Sequence, residues 1–504
     1  MREIGIAFLP FLMIFLMLFV FKQSSVRSGF AAYGTAVLLA IFVPTFHLRT
    51  VEIFDSSIHG ILISSVVAYV LFFGILLFHL MNEAGLIRTI ASFISHATDD
   101  PVRQVILLVV AFSPLVESSS GFGIAIIVIA PILIALGFPR YKAAFLSLVS
   151  LSAVPWGALA TGTVIGANLG KIPLQTLGSE IALMSVPTFY LFAFASVLIA
   201  AGWKGLAQRW GELSVITGIL AASIWLFSKY VSVELAGVLA SMAAIGTEFL
   251  WIRISAKRKA GNGHVFSQVS CSEAESEMSI IKAMSPYLFL TGFLFITRLL
   301  PGVEQMFQSS LKIDLPRYSF SLPLLYSPGF ALLLTSLFTI CLFRMRIDVI
   351  KKSWQSTCKQ WIPVTLSTIS FVAMSDIMSS SGMNAILAHA AASTLGPAFI
   401  LFSPLIGGLG GLLTGSNTGA NAMFIQLQIE AAHQLGMSPQ LLAAAQCTSA
   451  SHMTMASPSR VLLGATVCEI RTEENKILRN VSLIAVSSLL VIVLEMIIYP
   501  LFNV

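Results

Sequence analysis

The sequence predicts an all-α, polytopic membrane protein, and three observations support this fold class. Of the 504 residues, 57% are hydrophobic and only 10% are charged, whereas soluble domains carry roughly 25% charged residues. Apolar segments of about 18 residues or more recur along the whole chain, and this length crosses a ~30 Å hydrocarbon core as a helix. Alternating segments of about ten residues, typical of outer-membrane barrels, do not recur.

The continuous spans begin near the start of the chain. The first apolar segment has no basic region before it and no small-residue cleavage site after it, so we expect a retained helix rather than a signal peptide. Two less regular regions, 103–178 and 394–471, interrupt the series. The predicted spans are 4–21, 30–48, 58–81, 181–201, 213–227, 233–251, 284–300, 323–343, 361–378 and 481–499.

Basic residues between the spans predict the orientation of the chain in the membrane. A hydrophilic loop at 253–282 and a basic loop at 344–360 are both expected in the cytoplasm, and two spans separate them, as a shared side requires. The other basic segments fall on the same side only if 103–138 enters and leaves from the cytoplasm. We therefore expect 103–138 to form a re-entrant hairpin.

The tip of this hairpin carries SPLVESSSGFG at 113–123, where an acid, a run of three serines and two glycines interrupt an apolar region. Glu117 lies between apolar flanks, so burying those flanks in lipid also removes its carboxylate from bulk water. An ionisable group at that depth is costly and is a candidate functional residue by default. We expect Glu117 to bind and release a proton as the site opens to either side.

The second half of the chain repeats this plan. FSPL occurs at 112–115 and again at 402–405, where it lies in a second predicted hairpin, 398–436. The tip of that hairpin carries TGSNTGAN at 414–421. Matching interruptions at two corresponding places indicate that the two halves share one architecture.

A span interrupted by Gly and Pro follows each hairpin, at 143–170 and at 441–469. Since the first hairpin enters from inside and the second from outside, we predict inverted-topology repeats at 1–201 and 283–504, joined by two linking spans at 202–282. The complete fold would contain about 12 transmembrane helices and two re-entrant hairpins. Paired interrupted segments of this kind predict a substrate site near the membrane midplane.

The two tips should face each other, because lipid offers unwound backbone no hydrogen-bond partners. Helices that resume after each tip present N–H groups and a positive dipole end, which suit a carboxylate. Neutral hydroxyls and amides add donors and acceptors for a small hydroxylated anion, and together with Glu117 they predict proton-coupled symport. The predicted substrate-binding residues are Ser118, Ser119, Ser120, Gly121, Phe122, Gly123, Thr414, Gly415, Ser416, Asn417, Thr418, Asn421, Ser457 and Arg460.

Simpler interpretations stay open for single features. A Gly/Ser-rich bend is often a packing contact between membrane helices, and Glu117 would then hold a structural hydrogen bond. Asp376 is expected near the outer end of its span, where a solvated or structural role competes with coupling. Arg460 is expected to neutralise an anion, to pair with a carboxylate or to extend towards water.

The sequence contains no motif of the GxSxG, HExxH or Walker type, so we do not expect an enzyme. The five cysteines and the residues His389, His433 and His452 show no metal-ligand spacing, so neither a cofactor nor a metal is predicted. The net charge of +6 reflects basic loops between spans and does not indicate nucleic acid.

At the two tips the sequence resembles the L-lactate permease family. The similar stretches are VESSSGFG (116–123), SPYLFLT (285–291), LTGSNTGANAMF (413–424) and ASPS (456–459), in this order along the chain. The resemblance implies a symporter of the bacterial plasma (inner) membrane that takes up lactate, and often glycolate, with protons. It also implies a place in the wider ion transporter superfamily.

The chain departs from the usual family pattern at charged positions. The resemblance implies aspartate where this chain has Asn417, lysine where it has Thr454, and a neutral residue where it has Arg460. Losing the first two charges together is electrically neutral, whereas Arg460 adds a cation to the region. The Ser119–Ser120 pair also stands where the family commonly has Ala or Gly, so the identity of the carboxylate stays open.

The predicted partners are a small carboxylate, H⁺ and the lipid bilayer. Two alternatives remain: the same fold carrying another organic anion or using Na⁺, and a membrane subunit of a respiratory complex. The second alternative would be expected to carry several buried Lys and Glu residues along its helices, and the sequence shows few. The sequence does not decide between a monomer and a homodimer.

Overall fold

The computed structural model describes residues 2–95, 97–260, 279–318 and 320–502. In these ranges the regular structure is helical apart from one small antiparallel hairpin, β1 (Lys312–Leu315) with β2 (Phe320–Pro323). The α-helices are α1 (Arg2–Phe15), α2 (Ser25–Phe42), α3 (Thr50–Glu83), α4 (Leu86–Ser95), α5 (Pro101–Val105), α6 (Ser113–Ser120), α7 (Ile124–Ala135), α8 (Arg140–Val149), α9 (Gly157–Gly170), α10 (Leu174–Tyr230), α11 (Val233–Ala260), α12 (Ile280–Leu299), α13 (Pro301–Ser309), α14 (Pro328–Leu342), α15 (Ile347–Ser380), α16 (Met383–Leu395), α17 (Phe399–Thr414), α18 (Asn417–Leu435), α19 (Pro439–Met453), α20 (Pro458–Val467) and α21 (Glu474–Phe502).

Within the described ranges, ten helical segments are long and apolar enough to cross a membrane, or eleven if the bent pair α8 and α9 forms one span. The prediction of a helical multi-pass membrane protein is therefore confirmed, whereas the total of about twelve spans stays a prediction. The β1–β2 hairpin departs from the expected all-α fold. Its strands have only four residues each and lie between α13 and α14, too short to leave a periodic signal in the sequence.

The two spans predicted at 181–201 and 213–227 form parts of one helical element, α10, of 57 residues. Inside α10 only Gly202 has a non-helical backbone, with φ 69° and ψ −172°. The polar segment after Gly202, 203–212, contains no proline and includes Lys, Leu, Ala, Gln, Arg and Glu, all good helix formers. The chain therefore bends at a single residue and continues as helix.

The basic loop predicted at 344–360 is also mostly helical, because α15 begins at Ile347 and runs for 34 residues. Its first turns are polar but contain neither Gly nor Pro, so nothing ends the helix where the apolar segment ends. The predicted span 323–343 is shorter than expected, since Pro323 closes β2 and α14 begins at Pro328. In the predicted loop 253–282, α11 extends to Ala260, and residues 261–278 lie outside the described ranges.

Helices α3 and α15 pack against each other as an antiparallel pair. Gly60 lies against the backbone of Ala373, and the Trp361 indole N–H donates to the carbonyl of Ala68 at 2.8 Å. Further along, the Phe72 ring meets the ring of Trp354 edge-on, with centroids 4.9 Å apart. Because Gly60 has no side chain, the two helices can approach each other closely at this point.

Two helices joined at a glycine tip occur twice. The second pair, α17 and α18, runs antiparallel, since Gly410 lies beside Ala420 and the carbonyl of Ser403 accepts from the Gln428 amide at 3.0 Å. In the first pair, a continuous helical segment from Pro101 to Ser120 leads to a tip, and α7 leads away from it.

The start of the first hairpin and the segment just after its end lie near one another. Val102 lies beside Gly205, and the Lys142 ammonium donates to the carbonyl of Ala200 at 3.0 Å. Both ends therefore lie against the same bend of α10, around Gly202. The re-entrant character of hairpins 103–138 and 398–436 stays a prediction, and the position of these ends supports it for the first.

Both halves contain the same succession of elements. Each has a helix of 34 residues (α3, α15), a short helix (α4, α16), two helices joined at a tip, and a helix pair broken by a 3₁₀ turn. The 3₁₀ turns are Leu151–Trp156 between α8 and α9, and Thr454–Ala456 between α19 and α20. The inverted orientation of the halves, with boundaries at 1–201, 202–282 and 283–504, stays a prediction.

Gly411→Ala is expected to destabilise the protein, because a β-carbon there would overlap the carbonyl oxygen of Ala450 on α19. Overpacking of this kind costs roughly 1–3 kcal/mol. The matched control is Gly292→Ala in α12, where a β-carbon would have no neighbour within 4 Å. Thermal unfolding of the purified proteins in detergent should show a lower midpoint for the first variant alone, and equal midpoints would contradict the close packing of α17 on α19.

Candidate functional site

Four interruptions of regular helix meet in the interior of the protein. We call them the first tip (residues 121–123), the first break (151–160), the second tip (415–416) and the second break (454–457). A β-carbon at Gly121 would lie 2.7 Å from that of Ala158, so the first tip touches the first break. Arg460 donates from Nε to the carbonyl of Gly415 at 3.0 Å, which connects the second tip to the helix that follows the second break.

The first tip depends on backbone conformations that favour glycine. Gly121 has φ 67° and ψ −169°, and Gly123 has φ 78°. Residues with a side chain rarely adopt the conformation of Gly121, and its contact with Ala158 leaves no room for one. Gly123 is the N-cap of α7, so this turn directs the N-terminus of that helix into the site.

The first break contains a left-handed turn of three residues that are not glycine. Ala158, Leu159 and Ala160 have φ of 41°, 54° and 63°, a conformation that costs roughly 1–2 kcal/mol per residue. The Thr163 hydroxyl donates across the break to the carbonyl of Pro155 at 2.7 Å. Backbone strain held in place by its surroundings is a recurrent property of functional sites.

At the second tip and second break, polar side chains cap helices. The Ser416 hydroxyl accepts from the Gly419 N–H at 3.2 Å, and the Ser457 hydroxyl accepts from the Arg460 N–H at 3.4 Å. Helices α7, α18 and α20 therefore all begin at this junction. Three N-terminal ends bring partial positive charge to one place, which favours an anion.

A small cavity lies where the four interruptions meet. Its volume is about 20 Å³, room for about one water molecule. An organic solute needs more space, so the tips and breaks must separate before one can bind. The cavity is lined by Glu117, Phe122, Val154, Gly157, Thr161, Gly162, Ser416, Asn417, Thr418 and Arg460.

Glu117 and Arg460 face each other across this cavity. Their side chains are 1% and 6% exposed, and Arg460 Nη1 lies 3.8 Å from Glu117 Oε1. The same carboxylate oxygen accepts a long hydrogen bond of 3.4 Å from the Gly123 N–H. Glu117 Oε2 and Arg460 Nη1 make no hydrogen bond with the described residues. The two charges thus attract each other while each keeps one polar atom available.

The structure places six of the predicted site residues on the cavity wall: Glu117, Phe122, Ser416, Asn417, Thr418 and Arg460. Two others support the wall. The Asn421 amide donates to the Gly162 carbonyl and to Asn417 Oδ1, both at 3.0 Å, and the Thr414 hydroxyl donates to the carbonyls of Gly410 and Ser416.

The serine run of the first tip faces neighbouring helices instead of the cavity. Ser118 lies against Gly237 of α11. The Ser119 hydroxyl donates to the carbonyl of Leu115 at 2.8 Å and lies 3.4 Å from the Tyr287 hydroxyl on α12. Ser120 is buried and its hydroxyl lies 3.5 Å from that of Ser119. These residues therefore contribute to packing of the first tip.

Four lining residues were missing from the predicted set: Val154, Gly157, Thr161 and Gly162. All belong to the first break or to the helix directly after it. The sequence did carry a signal, because VPWGALATG at 154–162 interrupts an apolar span at the position that corresponds to TMASPS at 454–459. The predicted set covers both tips and the second break but not the first break.

Asp376 is buried near the end of α15, where it accepts from the His59 ring at 2.9 Å and from the Gln426 amide at 3.0 Å. At the position predicted to lie near the outer end of its span, Asp376 therefore links α3, α15 and α18 by hydrogen bonds. Among the described residues, no group of three or more His, Cys, Asp or Glu side chains is placed to hold a metal ion.

Comparison with known proteins identifies relatives along nearly the whole chain. The model of the L-lactate permease family matches residues 4–502. The L-lactate permease of Escherichia coli K12 is 26% identical over 514 residues, covering 94% of this chain and 91% of the relative. The glycolate permease GlcA of the same organism is 26% identical over 523 residues with the same coverage. The L-lactate permease of Bacillus subtilis is 24% identical over 527 residues, again with 94% and 91% coverage.

Among solved structures, the chain is similar to the YdaH transporter of Alcanivorax borkumensis, with a TM-score of 0.48 and 14% identity over 90% of this chain and 88% of that one. The family match, together with the apolar helices, confirms the prediction of a membrane transporter rather than an enzyme.

Arg460→Gln is expected to destabilise the protein by roughly 3–5 kcal/mol, because it leaves the buried Glu117 charge without a partner. The double variant Glu117→Gln/Arg460→Gln should recover most of this loss. The single variant should lose more stability at mildly alkaline than at mildly acidic pH, since a protonated Glu117 needs no cation. Unfolding midpoints of the three proteins across pH measure this, and additive effects of the two substitutions would contradict a direct interaction.

Proposed function

The chain belongs to the L-lactate permease family, and on this basis we propose that it imports a small 2-hydroxy monocarboxylate, L-lactate or glycolate, across the bacterial plasma membrane by proton symport. The names of its relatives support this substrate class, since they include L-lactate permeases and a glycolate permease. Glu117 is the proposed proton carrier. Arg460 and the helix N-termini of the two tips are the proposed carboxylate ligands.

The observation that carries this proposal is a set of buried polar atoms around one cavity that make no hydrogen bond with the described residues. They are Arg460 Nη1, Asn417 Nδ2 and Glu117 Oε2. A buried polar group without a partner costs roughly 1–3 kcal/mol, so a ligand that satisfies all three binds favourably. Two N–H donors match the two oxygens of a carboxylate, and a protonated or ionised Glu117 pairs with a hydroxyl group.

Charge balance explains why the anion would travel with a proton. Glu117 and Arg460 are both buried and together carry no net charge. Adding a carboxylate would leave one buried negative charge without compensation, which is costly in a low-dielectric interior. Protonation of Glu117 removes that charge and frees Arg460 for the substrate. Anion and proton therefore each raise the affinity for the other, as linkage requires.

Arg460 also accounts for the altered charge pattern of this chain. Thr454 stands where the family resemblance implies lysine, and its hydroxyl donates to the carbonyl of Ser451 within the second break. Thr454 is absent from the cavity lining among the described residues, whereas Arg460 and Asn417 both belong to it. We therefore assign to Arg460 the cation that neutralises the substrate, with Asn417 as a neutral donor beside it.

Transport requires the cavity to enlarge, because about 20 Å³ holds little more than one water molecule. The same succession of elements in both halves supports an inverted-repeat carrier, in which separation at either side of the tips opens the site to one face of the membrane. Helices already end at the two tips and the two breaks, so the chain can bend there without disturbing the apolar spans.

Glu117→Gln is expected to lower the stability, because it leaves the buried Arg460 cation without its partner. It should still exchange labelled for unlabelled lactate, because glutamine resembles the protonated acid. It should lose accumulation driven by an imposed pH gradient. The matched control is Glu495→Gln, which removes another carboxyl that has a buried oxygen without a hydrogen bond, in α21. Uptake into proteoliposomes with an imposed pH or Na⁺ gradient measures which ion gradient drives accumulation. Unchanged pH-driven accumulation in the Glu117 variant, or accumulation driven by Na⁺ alone in the unsubstituted protein, would contradict proton coupling.

Gly162→Ala is expected to reduce lactate uptake at least about tenfold, because its β-carbon would displace the Asn417 amide from the cavity and remove one charge-assisted hydrogen bond. Gly170→Ala on the same helix is the control, since its β-carbon would make only ordinary contacts, at 3.5 Å or more. Initial uptake rates normalised to the amount of protein in the membrane test this. Equal rates for both variants would place the substrate elsewhere.

A further inference from the structure

A wide vestibule lies on the face of the protein opposite the basic segments. It consists of two adjoining cavities of about 720 Å³ and about 630 Å³, whose linings share His59 and Lys171. Asp376 lines the larger cavity near the end of α15, and the opposite end of that helix begins beside Arg346. Since basic residues mark the cytoplasmic side, we call this space the outer vestibule.

The smaller cavity contains a buried cation, Arg298, whose one ion pair among the described residues is long. The Arg298 side chain is only 6% exposed, and its Nη2 lies 3.8 Å from Glu234 Oε1, beyond hydrogen-bond distance. Arg298 Nε is buried and makes no hydrogen bond with the described residues. The guanidinium is held against the Tyr326 ring, 3.5 Å from its centroid, by a cation–π contact. This contact fixes its plane while leaving its N–H groups available.

Lys171 provides a second cation on the same cavity wall. It follows α9 in a left-handed conformation with φ 52°, and in the described part of the chain its ammonium forms no ion pair. The basic residue Arg317, which lines the larger cavity, differs in this respect, because it donates twice to Asp55, at 2.7 and 2.9 Å. Among the described residues, Arg317 therefore has a close carboxylate partner, Arg298 has a more distant one and Lys171 has none.

The charges of the smaller cavity match one carboxylate. Among the described residues, its lining carries Lys171 and Arg298 against the acid Glu234, and its histidine, His59, is bonded to Asp376. One positive charge is therefore left over on the wall of the smaller cavity. The larger cavity, which shares Lys171, adds Glu430 and the Asp55–Arg317 pair. We propose that Lys171 and Arg298 form an outer subsite that binds a small monocarboxylate before it reaches the central cavity, an inference that rests on the proposed function.

The position of the subsite fits a step that precedes binding at the two tips. Lys171 follows Gly162 by nine residues along α9, a rise of about 13 Å, so one helix connects the vestibule with the central cavity. A planar guanidinium binds a carboxylate with two parallel hydrogen bonds, and the ammonium adds attraction over a longer range. A dicarboxylate would bring a second negative charge for which this wall has no cation, so the subsite favours monocarboxylates.

The test compares uptake from the two sides of the membrane. In intact cells of a strain without other lactate carriers, Arg298→Gln and Lys171→Gln should each raise the KM for lactate uptake about tenfold or more and leave the maximal rate unchanged. In inverted vesicles, where the substrate arrives at the cytoplasmic face, KM should stay unchanged. Arg298→Lys should restore part of the affinity. Arg317→Gln is the matched control, because that cation is already paired with Asp55.

Salt provides a second readout that a purely structural role would not alter. Attraction of an anion to the excess positive charge of this wall is screened by ions, so KM for uptake by the unsubstituted protein should rise with ionic strength, and this dependence should weaken in both Gln variants. An unchanged outer KM in the Lys171 variant, or equal effects on both sides of the membrane, overturns the subsite. Absence of any lactate or glycolate uptake by the unsubstituted protein instead overturns the proposed function on which the subsite rests.

Discussion

The structure depends on one constraint: backbone polar groups that leave a helix inside a membrane need partners that lipid does not supply. This chain leaves regular helix at two tips and two breaks, and each interruption contacts another. Gly121 of the first tip touches Ala158 of the first break, and Gly415 of the second tip lies against Ser457 of the second break. The Asn421 amide, soon after the second tip, donates to the carbonyl of Gly162, just after the first break. A single interruption would be unstable at this depth. Four that face each other share their hydrogen-bonding groups and enclose a polar cavity between them.

The same arrangement sets the electrostatics of the cavity. Three helix N-termini and one guanidinium bring positive charge together, and Glu117 is the one carboxylate on the cavity wall. Direct closure of the Glu117–Arg460 pair would satisfy both groups and leave nothing for a substrate. Instead the pair is separated by 3.8 Å, because Arg460 Nε is anchored on the Gly415 carbonyl and Glu117 Oε1 is turned towards the N-terminus of α7. Backbone anchors thus hold the two charges close enough to balance each other but without a direct hydrogen bond between them.

Much of this site could be predicted from the sequence, because Gly, Pro and polar residues carry information when they interrupt apolar segments. Glu117, the second tip and Arg460 were all found in that way, and all line or border the cavity. The directions in which the side chains of the serine run point could not be predicted in that way. Successive residues of a helix point about 100° apart, so Ser118 and Ser119 cannot share the face of Glu117, and they meet α11 and α12 instead.

The backbone conformation of the first break could not be predicted from the sequence for a different reason. Ala158, Leu159 and Ala160 are good helix formers, yet they adopt the left-handed conformation because tertiary contacts with the first tip outweigh local preference. The single bend of α10 at Gly202 and the extension of α15 before its apolar segment have the opposite cause. In both places the polar segment has a high helix propensity and stays helical, whereas a hydropathy pattern alone predicts a loop there.

The outer vestibule shows how the central site is connected to the rest of the protein. The wall of its larger cavity includes the α3–α15 pair on one side and α9 and α18 on the other. Across this boundary Gln426 of α18 uses both ends of its amide, donating to Asp376 and accepting from Ser375. Each hydrogen bond contributes only about 1 kcal/mol net, whereas α3 and α15 are joined by aromatic and backbone contacts along their length. The polar links between α18 and the α3–α15 pair are therefore weak compared with the contacts that hold α3 and α15 together.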